Sequence, residues 1–361
     1  MAPQQIGIYL GSADEVFFKY HFYQVLGPAS EYLNFYSDAG SFASSQHDRK
    51  VACFQIPYPY TDAIETQLKQ VYDFSDVVFI IGSELHPNTV DFIRRNDFPK
   101  ICWFLCGKLM PNVGGRTFPF LDWFTTSIHF YKNVRPITLH ELDPYAVKPF
   151  MFDALLGRKK THRDQAYQFI NDNLPDSGIV TYINDYNINF KNNDQSKWQW
   201  QLTGLEQHEN VQWTVDFVSY YGHRLSLSQI IPVDIYNQTA YSLVCETNYH
   251  NDYVFVTEKT VKPILARRLF ITLGNRYTLE YLRELGFQTF DGIIDESYDA
   301  IEDVTERHQT ALAQLRWLCT QPQEQILERA RSAIEHNFNL MYRENWYQKF
   351  STPFTNRLLN R

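Results

Sequence analysis

Glu258 and Lys259 stand side by side in YVFVTEKTVKPILARRLFITLG (253–274), between an apolar run and a segment of helical spacing. A strand ending near Val256, followed by Thr257, Glu258 and Lys259 at a helix start, sets a hydroxyl, a carboxylate and an ammonium beside free helix N–H groups. That combination suits an anionic ligand. Lys259 would neutralise a diphosphate and Glu258 would accept hydrogen bonds from ribose or sugar hydroxyls. The plainer alternative makes Thr257 an N-cap, Glu258 a partner of the helix dipole and Lys259 a solvated surface charge.

A second basic cluster, GRKKTHRDQ (157–165), lies between the strand-like FMFDALL and a helix, and carries Arg158, Lys159, Lys160, His162 and Arg163. A solvated turn is the usual fate of such a run. Guanidinium groups suit bidentate phosphate contacts, so Arg163 or Arg158 would grip a diphosphate from the side opposite Lys259. The acids of DESYD, Asp295, Glu296 and Asp299, follow a strand-like stretch, FQTFDGII, in a turn where such residues cap backbone groups, so no metal site is expected there.

The elements that must position these residues alternate. Apolar runs at 5–11, 50–56, 76–82 and 100–107 read as buried parallel strands, with helix-compatible stretches AIETQLKQVYDF and PNTVDFIRRND between them. The proline-rich RPITLHELDPYAVKP (135–149) reads as a linker. Beyond it the alternation restarts with FMFDALL, THRDQAYQFINDNL, GIVTYIN, AYSLVCETN, LFITLG and TLEYLRELG, and from about residue 303 the spacing is helical. The fold class is therefore α/β, with two Rossmann-like domains at 1–140 and 148–335 and a helical tail over 336–361. Such sheets bind ligands beyond their strand ends.

Composition narrows the partners. The 361 residues are 44% hydrophobic and carry a net charge of −8, which argues against broad attraction to nucleic acid or anionic membrane. Five cysteines in no CxxC pairing fit a reducing compartment, and no apolar run approaches a membrane span, so a cytoplasmic protein is expected. After the first strand stands YLGSADE instead of G-x-G-x-x-G, and the P-loop signature is missing, which sets aside hydride transfer and ordinary NTP hydrolysis. Aromatic residues make up 16% of the chain; Trp103, Trp123, Phe124, Phe130 and Tyr131 would be either a sugar-stacking surface or simply core.

CETNYHNDYVFVTEKTVKPILARRLFITLG resembles the donor-binding motif of the α-1,3-fucosyltransferase family, with Glu246, Val256, Thr257, Glu258, Lys259 and Gly274 in order. The continuation TLEYLRELGFQTFDGIIDESYDAIED resembles a divergent, often phage-associated branch. The resemblance implies a GT-B glycosyltransferase with two domains facing a cleft. It also implies a donor-side set of Glu258, Lys259, Thr257, Arg163, Arg158, Glu246, Asn248 and Phe255, a nucleotide-sugar co-substrate such as GDP-fucose, and no metal or other cofactor. Cys245, Thr247 and Phe255 replace residues usual in the family, and Lys108 stands where a carboxylate is expected. Inverting transfer needs a base at the acceptor hydroxyl. Glu84, just past the run DVVFII, and Asp122, in FLDWF, are the candidates; otherwise they are a helix-start acid and a turn acid. His86 is a further base candidate or a loop histidine. The acceptor would be a glycan or other hydroxyl compound, with a modified base in DNA as the alternative. A nucleotide-sugar-binding protein without turnover is the rival reading.

Overall fold

The computed structural model describes residues 5–11, 32–56, 63–82, 91, 95, 98–109, 117–119, 122–157, 159–184, 187–188, 210–213, 217–251 and 253–359. Two compact units divide the chain: Met1–Leu121 with Asn345–Arg361, and Asp122–Glu344.

The first unit is a parallel sheet. Its strands are β1 (Ile6–Leu10), β2 (Leu33–Tyr36), β3 (Arg49–Gln55), β4 (Val77–Gly82), β5 (Ile101–Leu105) and β6 (Thr117–Pro119), in the order β2-β1-β3-β4-β5-β6. Every residue of β1, β4 and β5 is buried, as expected where both faces of a parallel sheet are covered and apolar runs are continuous. Two helices of this unit are α1 (Ala39–Ser44) and α2 (Ala63–Val71), the second being the one expected in AIETQLKQVYDF. The chain's last helix, Trp346–Leu359, returns to this unit, where Phe354 packs on Phe79 and Phe104 with ring centroids 4.7 and 5.1 Å apart.

The second unit holds β7 (Phe150–Leu156), β8 (Gly178–Asn184), β9 (Asn187–Ile188), β13 (Thr239–Cys245) and β14 (Phe270–Leu273), in the order β9-β8-β7-β13-β14. All pairings are parallel except β9 on β8. Between β9 and β13 in sequence, Val211–Trp213, Phe217–Tyr220 and His223–Ser226 (β10 to β12) form an antiparallel sheet with no counterpart in the sequence expectations. Helices α3 (Asp122–Asn133), α4 (Thr161–Asn173), α5 (Val233–Gln238), α6 (Glu258–Leu265), α7 (Thr278–Glu284), α8 (Val304–Leu318) and α9 (Gln323–Arg343) complete it. The α/β class read from the alternation is thus present in both units, the first on a parallel and the second on a mainly parallel sheet, followed by helices through residue 359.

The boundaries differ from the expected 1–140, 148–335 and 336–361. Helix α3 precedes the proline-rich segment yet belongs to the second unit. There Phe124 meets Phe287 edge-on, the Tyr131 hydroxyl accepts the Ile231 N–H at 2.5 Å, and Tyr342 donates to the Tyr131 carbonyl at 3.0 Å. Helix α9 runs unbroken through 335 and 336, so no separate tail begins there.

One buried ion pair ties the second sheet together. Arg268 donates to Asp153 on β7 at 2.8 Å and to the carbonyls of Tyr236, Thr239 and Tyr241 at 2.7 to 2.9 Å. With its donors met by fixed acceptors, the guanidinium pins β7 and β13 beside the lead into β14. FQTFDGII forms no strand beyond an isolated bridge between Asp291 and Ile294, because Phe287, Phe290 and Ile294 are buried anchors of a loop. The acids after it are caps. Asp299 accepts the Leu279 and Glu280 N–H groups at 2.9 Å, Glu296 that of Phe290 at 2.6 Å, and Asp295 that of Ser297 at 2.9 Å. Among the described residues no helix is long and apolar enough to cross a membrane.

Candidate functional site

In the second sheet the chain leaves β7 toward β8 on one side and β13 toward β14 on the other, so the strand order reverses between β7 and β13. Open α/β sheets bind ligands at such a point, outside the carboxyl ends of the strands. Helix α4 begins after β7 and helix α6 after β13, which brings both basic sequence clusters to the ends of adjacent strands.

The start of α6 is built around Glu246, the residue after β13. Its carboxylate is buried and accepts the Thr257 N–H at 3.1 Å, the Thr257 hydroxyl at 2.7 Å and the Thr260 hydroxyl at 2.6 Å. Those three bonds fix the first turn of α6 against the strand end, so Glu246 positions the site from beneath. Gly274 stands beside it: a Cβ there would come 3.7 Å from the Glu246 Cβ and 3.0 Å from the Thr278 hydroxyl at the start of α7. Thr257 is the N-cap, accepting the Lys259 N–H at 3.3 Å, which agrees with the plainer sequence alternative for that residue.

Glu258 stands in the first turn of α6, as that alternative has it, but Lys259 departs from it. Glu258 is 2% exposed, and Lys259 donates to it at 2.6 Å while also reaching the hydroxyls of Thr247 and Thr257 at 3.3 and 3.4 Å. Burial pushes the Glu258 carboxyl upward, but Lys259, and then Lys262, outweigh it and hold the group below the usual carboxylate range. Neither side chain is a freely solvated surface charge.

From the other side, Lys160 at the start of α4 donates to the Thr247 carbonyl at 3.0 Å, so ammonium groups from the starts of both helices meet on one residue. Arg163 is 4% exposed and lies along the end of β13, with Nη2 at 3.5 Å from the Cys245 carbonyl. Gly157 makes room for it, since a Cβ there would stand 3.3 Å from Arg163 Nη1. Lys160, Arg163, Lys259 and Lys262 therefore gather against two carboxylates, Glu246 and Glu258, in a protein that is acidic overall. The local excess of positive charge is suited to an anion.

Asn248 and His162, both buried nearby, each keep a polar atom with no hydrogen-bond partner among the described residues. Asn248, 7% exposed, keeps an unmet Nδ2 donor. His162 bonds through Nε2 to the Glu246 carbonyl at 2.9 Å, stacks on Tyr249 at 4.0 Å, and keeps an unmet Nδ1. Burial, then Arg163 and His308, push its pKa down to about 2, so it is neutral and Nδ1 is an acceptor. Arg307 braces the rim, donating to the Gly274 carbonyl at 3.2 Å and that of Tyr249 at 2.8 Å.

The structure thus brings together Thr257, Glu258, Lys259, Arg163, Glu246 and Asn248. Phe255 is buried, its ring centroid 5.8 Å from that of Tyr253. Glu84, His86 and Arg158 lie outside the described residues, and Asp122 is the first residue of α3. The sugar-stacking alternative for the aromatic residues fails for Trp103, Phe124, Phe130 and Tyr131, which are at most 2% exposed and form core. Sequence reasoning missed Lys262; its spacing of four from Glu258 on a helix was the available signal. A cavity of about 30 Å³, room for about one water, lies between Asp153, Ser242, Cys245, Lys259 and Lys262.

No known protein family matches the sequence, and no curated protein matches it. Among solved structures, the chain is similar to an α1,3-fucosyltransferase with a TM-score of 0.38 and 11% identity, over 92% of this chain and 90% of that one. Neither family nor activity follows from it.

Proposed function

We propose that the protein is an inverting glycosyltransferase that moves a sugar from a nucleotide-diphosphate donor, GDP-fucose-like in its demands, to a hydroxyl of a glycan or another acceptor. The observation that carries this reading is the meeting of Lys259, Arg163 and the start of α6 at the point where the strand order reverses, with buried Glu258 beside them. Two parallel-sheet α/β units are the components a GT-B enzyme requires, and the second would bind the donor.

The roles follow from the chemistry of the groups. Lys259 and Arg163 face the diphosphate from two sides and stabilise the charge that grows on it as the bond to the sugar breaks. These cations and the helix end do what a metal ion does elsewhere, so the reaction would need none. Glu258, ionised and acceptor-only, takes hydrogen bonds from ribose hydroxyls. The unmet Asn248 donor suits an acceptor atom of the nucleotide. Glu246 and Thr257 position and touch no reacting atom. Acceptor recognition falls to the first unit, and Glu84 or Asp122 would remove the acceptor proton as its oxygen attacks the anomeric carbon.

The test is a panel of nucleotide sugars incubated with the protein, first alone to follow slow donor hydrolysis and then with glycan acceptors and modified-base DNA. Consumption of one donor with transfer supports the enzyme. Tight binding with no turnover on any acceptor would make it a nucleotide-sugar-binding protein, and the absence of binding across the panel would overturn the reading.

A further inference from the structure

Lys262 lies one turn beyond Glu258 on α6 and is 7% exposed. Among the described residues no hydrogen bond or ion pair reaches its ammonium. It borders the small cavity together with Lys259. The charged groups facing it are Glu258 and Lys259 on its own helix, Asp153 on β7 and Glu246 after β13. Two of the three acids are already engaged: Asp153 by Arg268 at 2.8 Å, and Glu246 by the hydroxyls of Thr257 and Thr260 at 2.7 and 2.6 Å. Glu258 is the acid left for Lys262 to serve, and in the structure Lys259 holds it at 2.6 Å.

That arrangement poses a difficulty for any anion that enters. Lys259 cannot turn fully to a diphosphate without loosening its bond to Glu258, and an ionised carboxylate at 2% exposure is strongly disfavoured without a nearby cation. A lysine 7% exposed that makes no hydrogen bond or ion pair among the described residues, and whose charge is disfavoured by burial, is itself a cost to the fold, and such costs are kept where function needs them. We infer that Lys262 is the standby counter-ion of Glu258: when Lys259 turns to a bound diphosphate, Lys262 takes over the charge of Glu258 and keeps that carboxylate ionised and aimed. The four-carbon stem and three rotatable donors of a lysine suit such a hand-over. Burial pushes the pKa of Lys262 down to about 8, against the pull of Glu258, which leaves it largely charged near neutrality. In this role Lys262 acts through Glu258 and is a positioning residue. The inference rests on the donor-site reading above.

The experiment is a double-mutant cycle read by calorimetry with GDP and, separately, inorganic pyrophosphate, with thermal unfolding of every variant. Lys262→Met should weaken GDP binding roughly tenfold, since it strands a charged group, while Lys262→Arg stays within about threefold of wild type. In a Glu258→Gln background, where no charge needs taking over, Lys262→Met should cost less than about twofold. Because Lys262→Met removes a desolvated cation that makes no hydrogen bond or ion pair among the described residues, its Tm should equal or exceed that of wild type, the opposite of what a structural lysine gives. Unchanged GDP affinity in Lys262→Met, or an equal loss in both backgrounds, would overturn the hand-over. Wild-type binding of pyrophosphate without GDP would defeat the nucleotide reading alone, and the cycle with pyrophosphate would then decide the hand-over; binding of neither would overturn both.

Discussion

Replacing Lys259 by alanine removes the ammonium that donates to Glu258 at 2.6 Å and reaches Thr247 and Thr257 at 3.3 and 3.4 Å. Two effects should separate. A hydrogen bond to a charged group contributes about 1.5–3 kcal/mol, so GDP affinity should fall roughly 10- to 150-fold. Guanosine, which lacks the diphosphate, should lose less than about threefold. The second effect is on the fold. Breaking a fully buried pair costs about 3–5 kcal/mol, but Lys259 is 23% exposed and Lys262 remains near the stranded carboxylate, so about 1–2 kcal/mol is the expected scale. For a domain of this size that corresponds to a Tm lower by roughly 2–8 °C. Calorimetry with both ligands and thermal unfolding, near neutral pH, read the two effects independently. Equal fractional losses for GDP and guanosine would refute the placing of Lys259 on the diphosphate.

Arg163→Ala should likewise weaken GDP by about 1.5–3 kcal/mol and guanosine little, and Arg158→Ala should do less; the reverse ranking in the same titrations would transfer the role to Arg158. Glu84→Gln should leave donor affinity nearly intact while single-turnover transfer falls roughly 10²–10⁴-fold, with Asp122→Asn close to neutral; wild-type transfer by Glu84→Gln would eliminate it as the base. Lys262, faced by Glu258, Lys259, Asp153 and Glu246, has its pKa lowered by burial to about 8. Between pH 8 and the ordinary lysine range the unfolded chain binds more protons than the folded one, so stability relative to Lys262→Met should rise with pH through that window. Parallel denaturation curves at a series of pH values check the sign, and a difference that stays flat or falls would contradict it.

The sheet strands were legible because parallel strands covered on both faces carry continuous apolar runs, as in VVFIIG and ICWFL. The edge strands Leu33–Tyr36 and Thr117–Pro119 were not, since half-buried short segments carry no such run. FQTFDGII misled because three buried apolar anchors in a loop look like a strand until their neighbours are known. The proline-rich linker drew the boundary too late: prolines mark where the chain turns, while unit membership is decided by side chains such as Tyr131 and Phe354 that find their partners far along the sequence. In the site, T-E-K at a helix start and the Arg163 cluster were readable from residue types and spacing. That Glu246 faces inward as an anchor depended on its meeting Thr257 and Thr260 at the start of α6, which no local pattern encodes, whereas Lys262 was signalled only by its spacing of four from Glu258.

A crystal structure of the protein with GDP tests the central claim most directly. The diphosphate should lie beyond the ends of β7 and β13, within hydrogen-bond reach of Lys259 Nζ and the Arg163 guanidinium, with a ribose hydroxyl on Glu258. A nucleotide bound elsewhere, with Lys259 still paired to Glu258 and no ligand atom near Arg163, would contradict it.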